Sequence, residues 1–422
     1  MIGLERVILH CDANYYYAAV ECLYRPELRS QPVAVCGDPA ARHGIILTKN
    51  TQAKAFGVRT GEAIWQAREK CPGLVCVPAD FPLYVRFSRK MRAIYEQDSN
   101  RVESFGLDEC WIDLTNPGMT LQKGKRIADE IRGRVREELG ITISVGTANN
   151  KIFAKHGSDR KKPDATTLIL PDHLEETVFP LPASDLLFVG PSTSRKLASL
   201  GILTIGDLAR CDEAILHRLL GKNGPVLKRY ASGLDTSPVM ACDQHIPAQS
   251  IGNSITPPHD LTTMDDVRCL FYLLAESVGA RLRADGVRAR CISISLRDAE
   301  LVTRSCQLSM PRATSLTDDL AQTALQLFSE RFSNGFPYRS IGLSCSQLTG
   351  ENEPVQLDFM GDESRRICLE KLERSIDSLR RRYGQRIITR GVVMADPLCA
   401  VLNPVDDHQI HPVPFYAGRE GA

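Results

Sequence analysis

The sequence predicts a multidomain α/β protein in which two regions of mixed strands and helices flank a purely helical region. Apolar, strand-like segments alternate with amphipathic helices over residues 7–146, and a similar alternation returns over residues 261–348. Between them, residues 171–235 carry short helical segments punctuated by glycine. Alternating strands and helices favour sheets with helices packed on them, and a chain of 422 residues accommodates about three domains.

Composition and charge exclude several classes of protein. With 43% hydrophobic and 24% charged residues the chain is typical of a globular protein, and 52 basic against 51 acidic residues leave no global field for a polyanion. The 14 cysteines are scattered without metal-ligand spacing, so we expect reduced thiols rather than disulfides or a zinc site. Neither a signal peptide nor a run of ~20 apolar residues is found, so we expect a cytoplasmic protein without membrane contact.

The first region begins with an acidic residue at the end of an apolar strand. Residues 7–11 form the strand, Asp12 ends it, and residues 15–23 follow as a helix. Further short strands are expected at residues 32–36 and 44–48, and helices at residues 52–56 and 62–70. This second group indicates a small subdomain inserted into the first region.

Two adjacent acidic residues interrupt another apolar segment. After a basic amphipathic helix at residues 84–97, residues 102–114 alternate like one strand around Asp108 and Glu109. A helix with apolar residues at a spacing of four and a strand at residues 141–146 complete the pattern. Adjacent strands of such a sheet can bring Asp12 and the acidic pair together.

Three carboxylates at strand ends suit two-metal phosphoryl transfer. That chemistry needs carboxylates converging on cations ~3.5 to 4 Å apart, and Mg²⁺ takes only oxygen ligands. The alternative is that Asp12 caps the following helix and that Asp108 and Glu109 form a solvated turn. An acidic pair within an apolar strand is costly unless cations or partners satisfy it, which favours the metal site without naming an activity.

Five separated segments together resemble one protein family, the Y-family translesion DNA polymerases of the bacterial polymerase IV and UmuC branches. The segments are HCDANYYYAAVE, GVRTG, SFGLDECWIDLT, SVGTANNKIFAKHGSDRKKP and VGPSTSRKLASLGILTIGDLA, and they occur in the family's order. The resemblance implies a right-hand polymerase fold. Its domains are expected as a palm at residues 1–170 with fingers inserted at about 22–80, a helix-hairpin-helix thumb at 171–240, a little finger at 241–350, and a tail at 351–422.

The resemblance implies specific roles for the acidic residues. Asp12 and Asp108 are expected to bind two Mg²⁺ ions per active site, and Glu109 to bind the catalytic ion beside the primer 3′ hydroxyl. The Ala13 carbonyl is expected to assist one of them. The implied reaction is template-directed addition of a nucleotide to a DNA primer with an active site that tolerates damaged template bases, performed by a monomer.

Contacts with the incoming deoxynucleoside triphosphate are implied for five residues. Tyr17 matches the family's steric gate against ribonucleotides, although a tyrosine at this helix start could also be core, as we expect for Tyr15. Lys162 matches the lysine that reaches the triphosphate. The other implied contacts are Tyr16, Thr48 and Lys54.

Contacts with the primer–template duplex are implied for basic and helix-terminal residues. The resemblance places Lys151, Lys155, Arg160 and Lys161 against duplex phosphates, although a charged run can equally be a solvated surface. Gly190 and Ser192 match a helix-hairpin-helix turn, for which a plain helix pair is the alternative. Arg281 and Arg290 match the little-finger surface, and Gln356, Leu357 and Phe359 match a short peptide that binds the sliding clamp, unless this tail is unstructured.

The sequence departs from the family at three positions. Polymerase IV enzymes usually have Tyr where Thr51 stands, Arg where Lys54 stands and Gly where Ser192 stands. Lysine lacks the bidentate geometry of arginine, so the grip on the nucleotide could be weaker. A catalytically weak or inactive accessory protein that binds DNA or the sliding clamp is therefore the alternative function. A nucleotide cyclase is a further alternative. An accessory protein would not need the three carboxylates, and a cyclase would not need the helix-hairpin-helix units.

Overall fold

The computed structural model describes residues 4–38, 44–244, 246–351, 362–395 and 402. The chain divides into two compact units. The described part of the first unit is residues 4–37 and 45–244, and that of the second unit includes residues 246–351 and 362–395. No helix in the described part of the chain has the length and apolarity that crossing a membrane requires.

The first unit contains strands and helices in alternation. Its described strands are β1 (Ile8–Ala13), β2 (Val33–Cys36), β3 (Ile46–Lys49), β4 (Val75–Pro78), β5 (Val102–Ser104), β6 (Glu109–Asp113), β7 (Ile143–Ala148) and β8 (Thr166–Leu168). Its described helices are α1 (Tyr16–Tyr24), α2 (Thr51–Ala55), α3 (Ile64–Lys70), α4 (Phe81–Tyr95), α5 (Leu121–Leu139), α6 (Lys151–Arg160), α7 (Leu174–Thr177), α8 (Pro191–Ala198), α9 (Ile205–Arg210), α10 (Glu213–Leu220) and α11 (Asn223–Ala231).

The strands of this unit form two sheets. The larger has the order β5-β6-β1-β7-β8, and the smaller has the order β3-β2-β4. Strand β1 lies at the centre of the larger sheet and all six of its residues are buried, because neighbouring strands and packed helices cover both of its faces. Helix α5 is defined by Thr120, whose side chain accepts the N–H of Lys123, and by Gly140, whose positive φ ends the helix.

The segment around the acidic pair differs from the expectation of a single strand over residues 102–114. The structure has a hairpin, in which β5 and β6 are joined by a turn that contains Asp108. Gly106 has φ +113°, a conformation that side chains disfavour, and the Phe105 N–H donates to the Glu109 carbonyl at 2.8 Å. The glycine thus allows the chain to reverse immediately before the catalytic candidates.

The second unit is a four-stranded antiparallel sheet with helices packed on it. It contains β9 (Ser250–Ile255), α12 (Met264–Ala284), β10 (Val287–Asp298), β11 (Thr303–Thr314), α13 (Thr317–Arg331), β12 (Tyr338–Gly350) and α14 (Asp362–Tyr383), with the sheet order β11-β10-β12-β9. One hydrophobic core joins α12 and α13 to the sheet. The two mixed units and the helical segment of the first confirm the expected α/β multidomain class.

A fully buried ion pair joins β5 to α6 in the first unit. The Lys151 ammonium donates to both Glu103 carboxylate oxygens at 2.7 and 2.8 Å, and both side chains have no exposed surface. The Trp111 ring lies 4.6 Å from this ammonium, and the Met240 N–H donates to Glu103 at 3.0 Å. The expectation that Lys151 faces the DNA duplex is therefore wrong, because the ion pair holds it in the core.

Removing one partner of this ion pair should destabilise the first unit. Glu103→Gln leaves the Lys151 ammonium buried without its counter-charge, which costs about 3 to 5 kcal/mol. Urea unfolding followed by the fluorescence of buried Trp111 measures the loss. The double variant Glu103→Leu with Lys151→Met removes both charges and should recover most of the stability; a double variant as unstable as the single one would contradict this account.

Candidate active site

Asp12 and Glu109 face each other across neighbouring strands. They are register partners in the β1–β6 ladder. The Ala13 N–H donates to the Asp108 carbonyl at 3.0 Å, so residues 13 and 108 form a hydrogen-bonded pair. The next pair, Asp12 and Glu109, is then a non-hydrogen-bonded pair, in which facing Cα atoms approach to about 4.5 Å. The antiparallel register therefore brings two carboxylates together at the end of β1.

Asp108 adds a third carboxylate directly beside this pair. Burial first, and then the negative charges of Glu109 and Asp12, raise the pKa of Asp108 to about 7. Such a shift means that ionised Asp108 is poorly compensated here. A bound cation would relieve this repulsion, and the carboxylate oxygens are the donors that hard divalent cations prefer. The residues present therefore fit a divalent metal site.

Two lysines supply positive charge to the carboxylates. The Lys155 ammonium lies 3.2 Å from Asp12 Oδ2 and 3.1 Å from Glu109 Oε1, and the Lys162 ammonium lies 2.8 Å from Asp12 Oδ2. Although burial opposes their charge, the neighbouring carboxylates raise the pKa of both lysines. Lys155, expected to face duplex phosphates, is thus placed among acidic side chains.

Asp159 and His10 belong to this cluster, and the sequence analysis did not identify them. Asp159 contacts the ammonium groups of Lys155 and Lys162 at 3.0 Å each. The His10 ring is fully buried, with Nδ1 2.8 Å from Ser158 Oγ and Nε2 3.5 Å from Glu109 Oε2. Contacts with His10 and Lys155 outweigh burial and lower the pKa of Glu109 to about 2. The signals were available, since Asp159 is four residues from Lys155 on a helix and His10 two from Asp12 on a strand.

No group of three or more His, Cys, Asp or Glu side chains in residues 4–38, 44–244, 246–351 and 362–395 has the arrangement of a preformed metal centre. In the acidic cluster, the ammonium groups of Lys155 and Lys162 lie against Asp12 Oδ2, the oxygen that a metal ion would use. A cation can bind Asp12 Oδ2 only when these ammonium groups move away. The cluster is thus a set of carboxylates whose charge two lysine side chains neutralise.

The two tyrosines expected to contact substrate have different environments. Tyr16 is buried and its hydroxyl donates to the Tyr84 carbonyl at 2.6 Å, so only its backbone is free to meet a substrate. Tyr17 is half-buried and stacks on Tyr84, with ring centroids 4.3 Å apart and planes inclined by 13°. Burial, and to a smaller extent the negative charge of Asp108, raise the pKa of both tyrosines.

The remaining candidate residues lie on other elements. Thr48 is half-buried on β3, and Lys54 is exposed on α2. Gly190 is the N-cap of α8 and Ser192 is exposed in its first turn, where the described chain offers no side-chain cap. Arg281 is on α12 and exposed Arg290 on β10, both in the second unit. Gln356, Leu357 and Phe359 lie outside the described residues.

Helix α6, which carries Lys155, packs on β7 without an intervening layer of side chains. A Cβ atom on Gly146 would lie 1.9 Å from the Ala154 carbonyl oxygen and 2.5 Å from the Ser158 nitrogen. A Cβ atom on Gly157 would lie 3.0 Å from the Gly146 Cα. Backbone contact therefore sets the distance between the helix and the sheet.

Comparisons with known proteins agree with this architecture. The sequence matches the impB/mucB/samB family over residues 11–159 and the C-terminal domain of that family over residues 248–359. DNA polymerase IV of Acetivibrio thermocellus is 47% identical over 393 residues, which are 93% of this chain and 98% of the relative. DNA polymerase IV 1 of Bacillus subtilis is 36% identical, covering 93% of this chain and 94% of the relative. A Y-family DNA polymerase chimera of solved structure has a TM-score of 0.72 at 21% identity, covering 81% of this chain and 99% of its own.

Substituting the glycine at the contact between α6 and β7 should displace Lys155. Gly146→Ala forces the helix away from the sheet, and we expect a loss of about 1 to 3 kcal/mol of stability, as for other overpacked cores. Thermal unfolding and primer extension measure the effect. Gly133→Ala in α5, where a Cβ atom meets nothing within 4 Å, is the matched control and should stabilise by up to about 1 kcal/mol. Equal stability of the two variants would contradict the contact.

Proposed function

The chain belongs to the impB/mucB/samB family of Y-family DNA polymerases, and from that premise we propose that Asp12, Asp108 and Glu109 hold the divalent metal ions of its polymerase site. As a member of this family it is a DNA-directed DNA polymerase that performs translesion synthesis, with DNA and nucleotides as substrates. Y-family polymerases depend on divalent metals. For this chain we propose that the divalent metals are two Mg²⁺ ions per active site.

The observation that carries the proposal is the convergence of three carboxylates at the end of β1 and the turn before β6. Two of them are cross-strand partners, and the third has a pKa raised to about 7 by burial and by the charges of the other two. When bound, divalent ions lower the pKa of the primer hydroxyl and neutralise charge on the triphosphate. The carbonyl of Ala13, the last residue of β1, is proposed as an additional oxygen ligand.

Lys155 and Lys162 are proposed to exchange partners when substrate binds. Without substrate their ammonium groups neutralise Asp12. Lys162 is 31% exposed and lies at the outer side of the cluster, so it can turn to the triphosphate once another cation neutralises Asp12. Lys155 is only 12% exposed and is proposed to stay near Glu109 rather than to bind duplex phosphates.

Tyr17 is proposed as the steric gate that excludes ribonucleotides. Its ring stacks on Tyr84, whose hydroxyl donates to Glu21 at 2.7 Å, and its edge meets Phe81 at a centroid distance of 5.9 Å. A ring held on two sides cannot move aside for an additional hydroxyl on the sugar. Backbone atoms of Tyr16 and the side chains of Thr48 and Lys54 are proposed to complete the nucleotide site.

Contacts with DNA and with other proteins follow from the same premise. The uncapped N-terminus of α8 at Gly190 and Ser192 is proposed to bind a backbone phosphate through its amides, and Arg281 and Arg290 to contact the duplex. We propose that the large sheet is the palm, the small sheet the fingers, residues 171–240 the thumb, residues 241–350 the little finger and residues 351–422 a tail. The sliding-clamp peptide at residues 356–359, a monomeric state and a cytoplasmic location are also proposed.

The alternatives of an inactive accessory protein and of a nucleotide cyclase receive no specific support. All three carboxylates are present and adjacent, and the relatives that cover the chain almost completely are named as DNA polymerases. Thr51 and Lys54 are both exposed on α2, where neither disturbs the carboxylate cluster. A reduced affinity for the nucleotide is the effect that we propose for them.

Removing the Asp108 charge should abolish catalysis while preserving the fold. Asp108→Asn deletes a metal ligand, and a loss of about 4 kcal/mol of transition-state stabilisation corresponds to about 10³-fold slower primer extension. Extension of a labelled primer with Mg²⁺ and four deoxynucleotides measures the rate. Thermal unfolding should be unchanged or improved, since one of three repelling carboxylates is gone. Glu130→Gln on the exposed side of α5 is the control, and normal extension by Asp108→Asn would refute the ligand assignment.

Truncating Tyr17 should open the sugar site. Tyr17→Ala is expected to raise ribonucleotide incorporation relative to deoxynucleotide incorporation by about 100-fold, equivalent to about 2.7 kcal/mol of lost discrimination. The ratio of kcat/KM values for the two nucleotide types measures it. Tyr24→Ala, which removes an exposed tyrosine from the same helix, should leave the ratio unchanged. An active Tyr17→Ala enzyme that still rejects ribonucleotides would exclude the gate.

A further inference from the structure

Helix α14 follows the region matched by the family's C-terminal domain, which ends at residue 359. It is held on the second unit by ion pairs. Buried Arg283 contacts Asp377 at 2.6 Å and Glu373 at 3.2 Å, and Glu370 contacts Arg288 at 2.9 Å. These bonds fix which side of the helix faces the unit and which side faces solvent.

The acidic and basic residues of α14 are sorted between these two sides. Among the side chains described for this helix, the three acidic ones, Glu370, Glu373 and Asp377, all turn inward and pair with arginines. Every exposed charged side chain of residues 364–383 is basic. The carboxylates of α14 are thus paired with arginines of the second unit, and positive charge remains on the side of the helix that faces solvent.

Four exposed cations lie along one side of the helix, which we call the basic side of α14; they are Lys371, Arg374, Arg381 and Arg382. At 3.6 residues per turn they fall within about 100° of the helix circumference, and at 1.5 Å per residue they span about 16 Å. Arg374 pairs with Glu351, whereas Lys371, Arg381 and Arg382 contact no carboxylate within the described chain. A cleft of about 210 Å³ between α12 and α14 continues this surface from Arg374 and Arg381 to Arg281.

The extended arrangement of the cations favours a polyanion as the ligand. Cations spread over about 16 Å match repeated charges, and one strand of a duplex carries a phosphate about every 3.4 Å along its axis. Of the exposed apolar residues of α14, Leu372, Leu379 and Tyr383 lie on a different part of the circumference, outside the basic side, whereas Ile367 lies in line with it, one turn before Lys371. Over the length from Lys371 to Arg382, a ligand on the basic side therefore meets mainly charged groups, which suits the phosphates of a nucleic-acid backbone.

We propose that the basic side of α14 binds the phosphate backbone of nucleic acid without reading sequence. The inference rests on the polymerase function in one respect, because that function makes DNA the polyanion that this protein binds. It assigns a DNA contact to a helix beyond the family's C-terminal domain. The side chains proposed to contact the phosphates are those of Lys371, Arg381 and Arg382, with Arg374 and Arg281 at the edge of the surface.

The salt dependence of DNA binding by the whole chain tests the proposal. Each phosphate contact contributes about 0.9 to the slope of log affinity against log salt, so Lys371→Gln with Arg382→Gln should lower that slope by up to about 1.8. Fluorescence anisotropy with a labelled primer–template measures it. The matched control, Lys123→Gln with Arg126→Gln on α5, changes the net charge equally and should leave the slope at the wild-type value.

The outcomes separate this proposal from the assignment of the polymerase site. At saturating DNA the α14 variant should extend primers at the wild-type rate, whereas Asp108→Asn should bind DNA with an unaltered slope and fail to extend. Equal slopes for the α14 variant, the α5 control and the wild type would overturn the proposal. It would also be overturned if the α14 variant kept the DNA slope but lost binding to phosphatidylglycerol vesicles, which would make the surface a membrane contact.

Discussion

Electrostatic balance around three clustered carboxylates is the constraint on which the first unit depends. The antiparallel register places Asp12 opposite Glu109 at a closely spaced pair, and the turn before β6 adds Asp108. Like charges so close destabilise the folded chain unless cations neutralise them. Lys155 and Lys162 provide that neutralisation from outside the sheet, and Asp159 orients both ammonium groups. The fold is thus kept stable by two ammonium groups packed against Asp12 and Glu109.

The first unit contains two kinds of ion pair, one fully buried and one with a partly exposed lysine. The Lys151–Glu103 pair is fully buried and joins α6 to β5 as a fixed structural element. The pair formed by Lys162 and Asp12 involves a partly exposed lysine and can open. Because α6 carries Lys151 at its start and Lys155 in its middle, the fixed pair anchors the helix that holds Lys155 against Asp12 and Glu109, whereas Lys162 follows the end of that helix.

Much of the fold and of the acidic cluster could be predicted from the sequence, for identifiable reasons. Residues 7–11 are a continuous apolar run that ends at Asp12, and five motifs in the family's order indicate the architecture from the sequence alone. The hairpin around Asp108 was missed because its residues also alternate like one strand, and only Gly106 indicated the turn. The burial of Lys151 was not predictable, since its partner Glu103 is 48 residues away and nothing local distinguishes it from its basic neighbours.

The contact between Gly146 and Gly157 has a consequence for how the protein tolerates sequence change. Since main-chain atoms of β7 and α6 touch directly, no side chain in the surrounding core determines the separation of helix and sheet. Side chains around this contact can then change in size with little effect on the distance from Lys155 to the carboxylates. The size of core side chains and the geometry of the acidic cluster are thereby uncoupled, and two small residues preserve the spacing on which charge neutralisation depends.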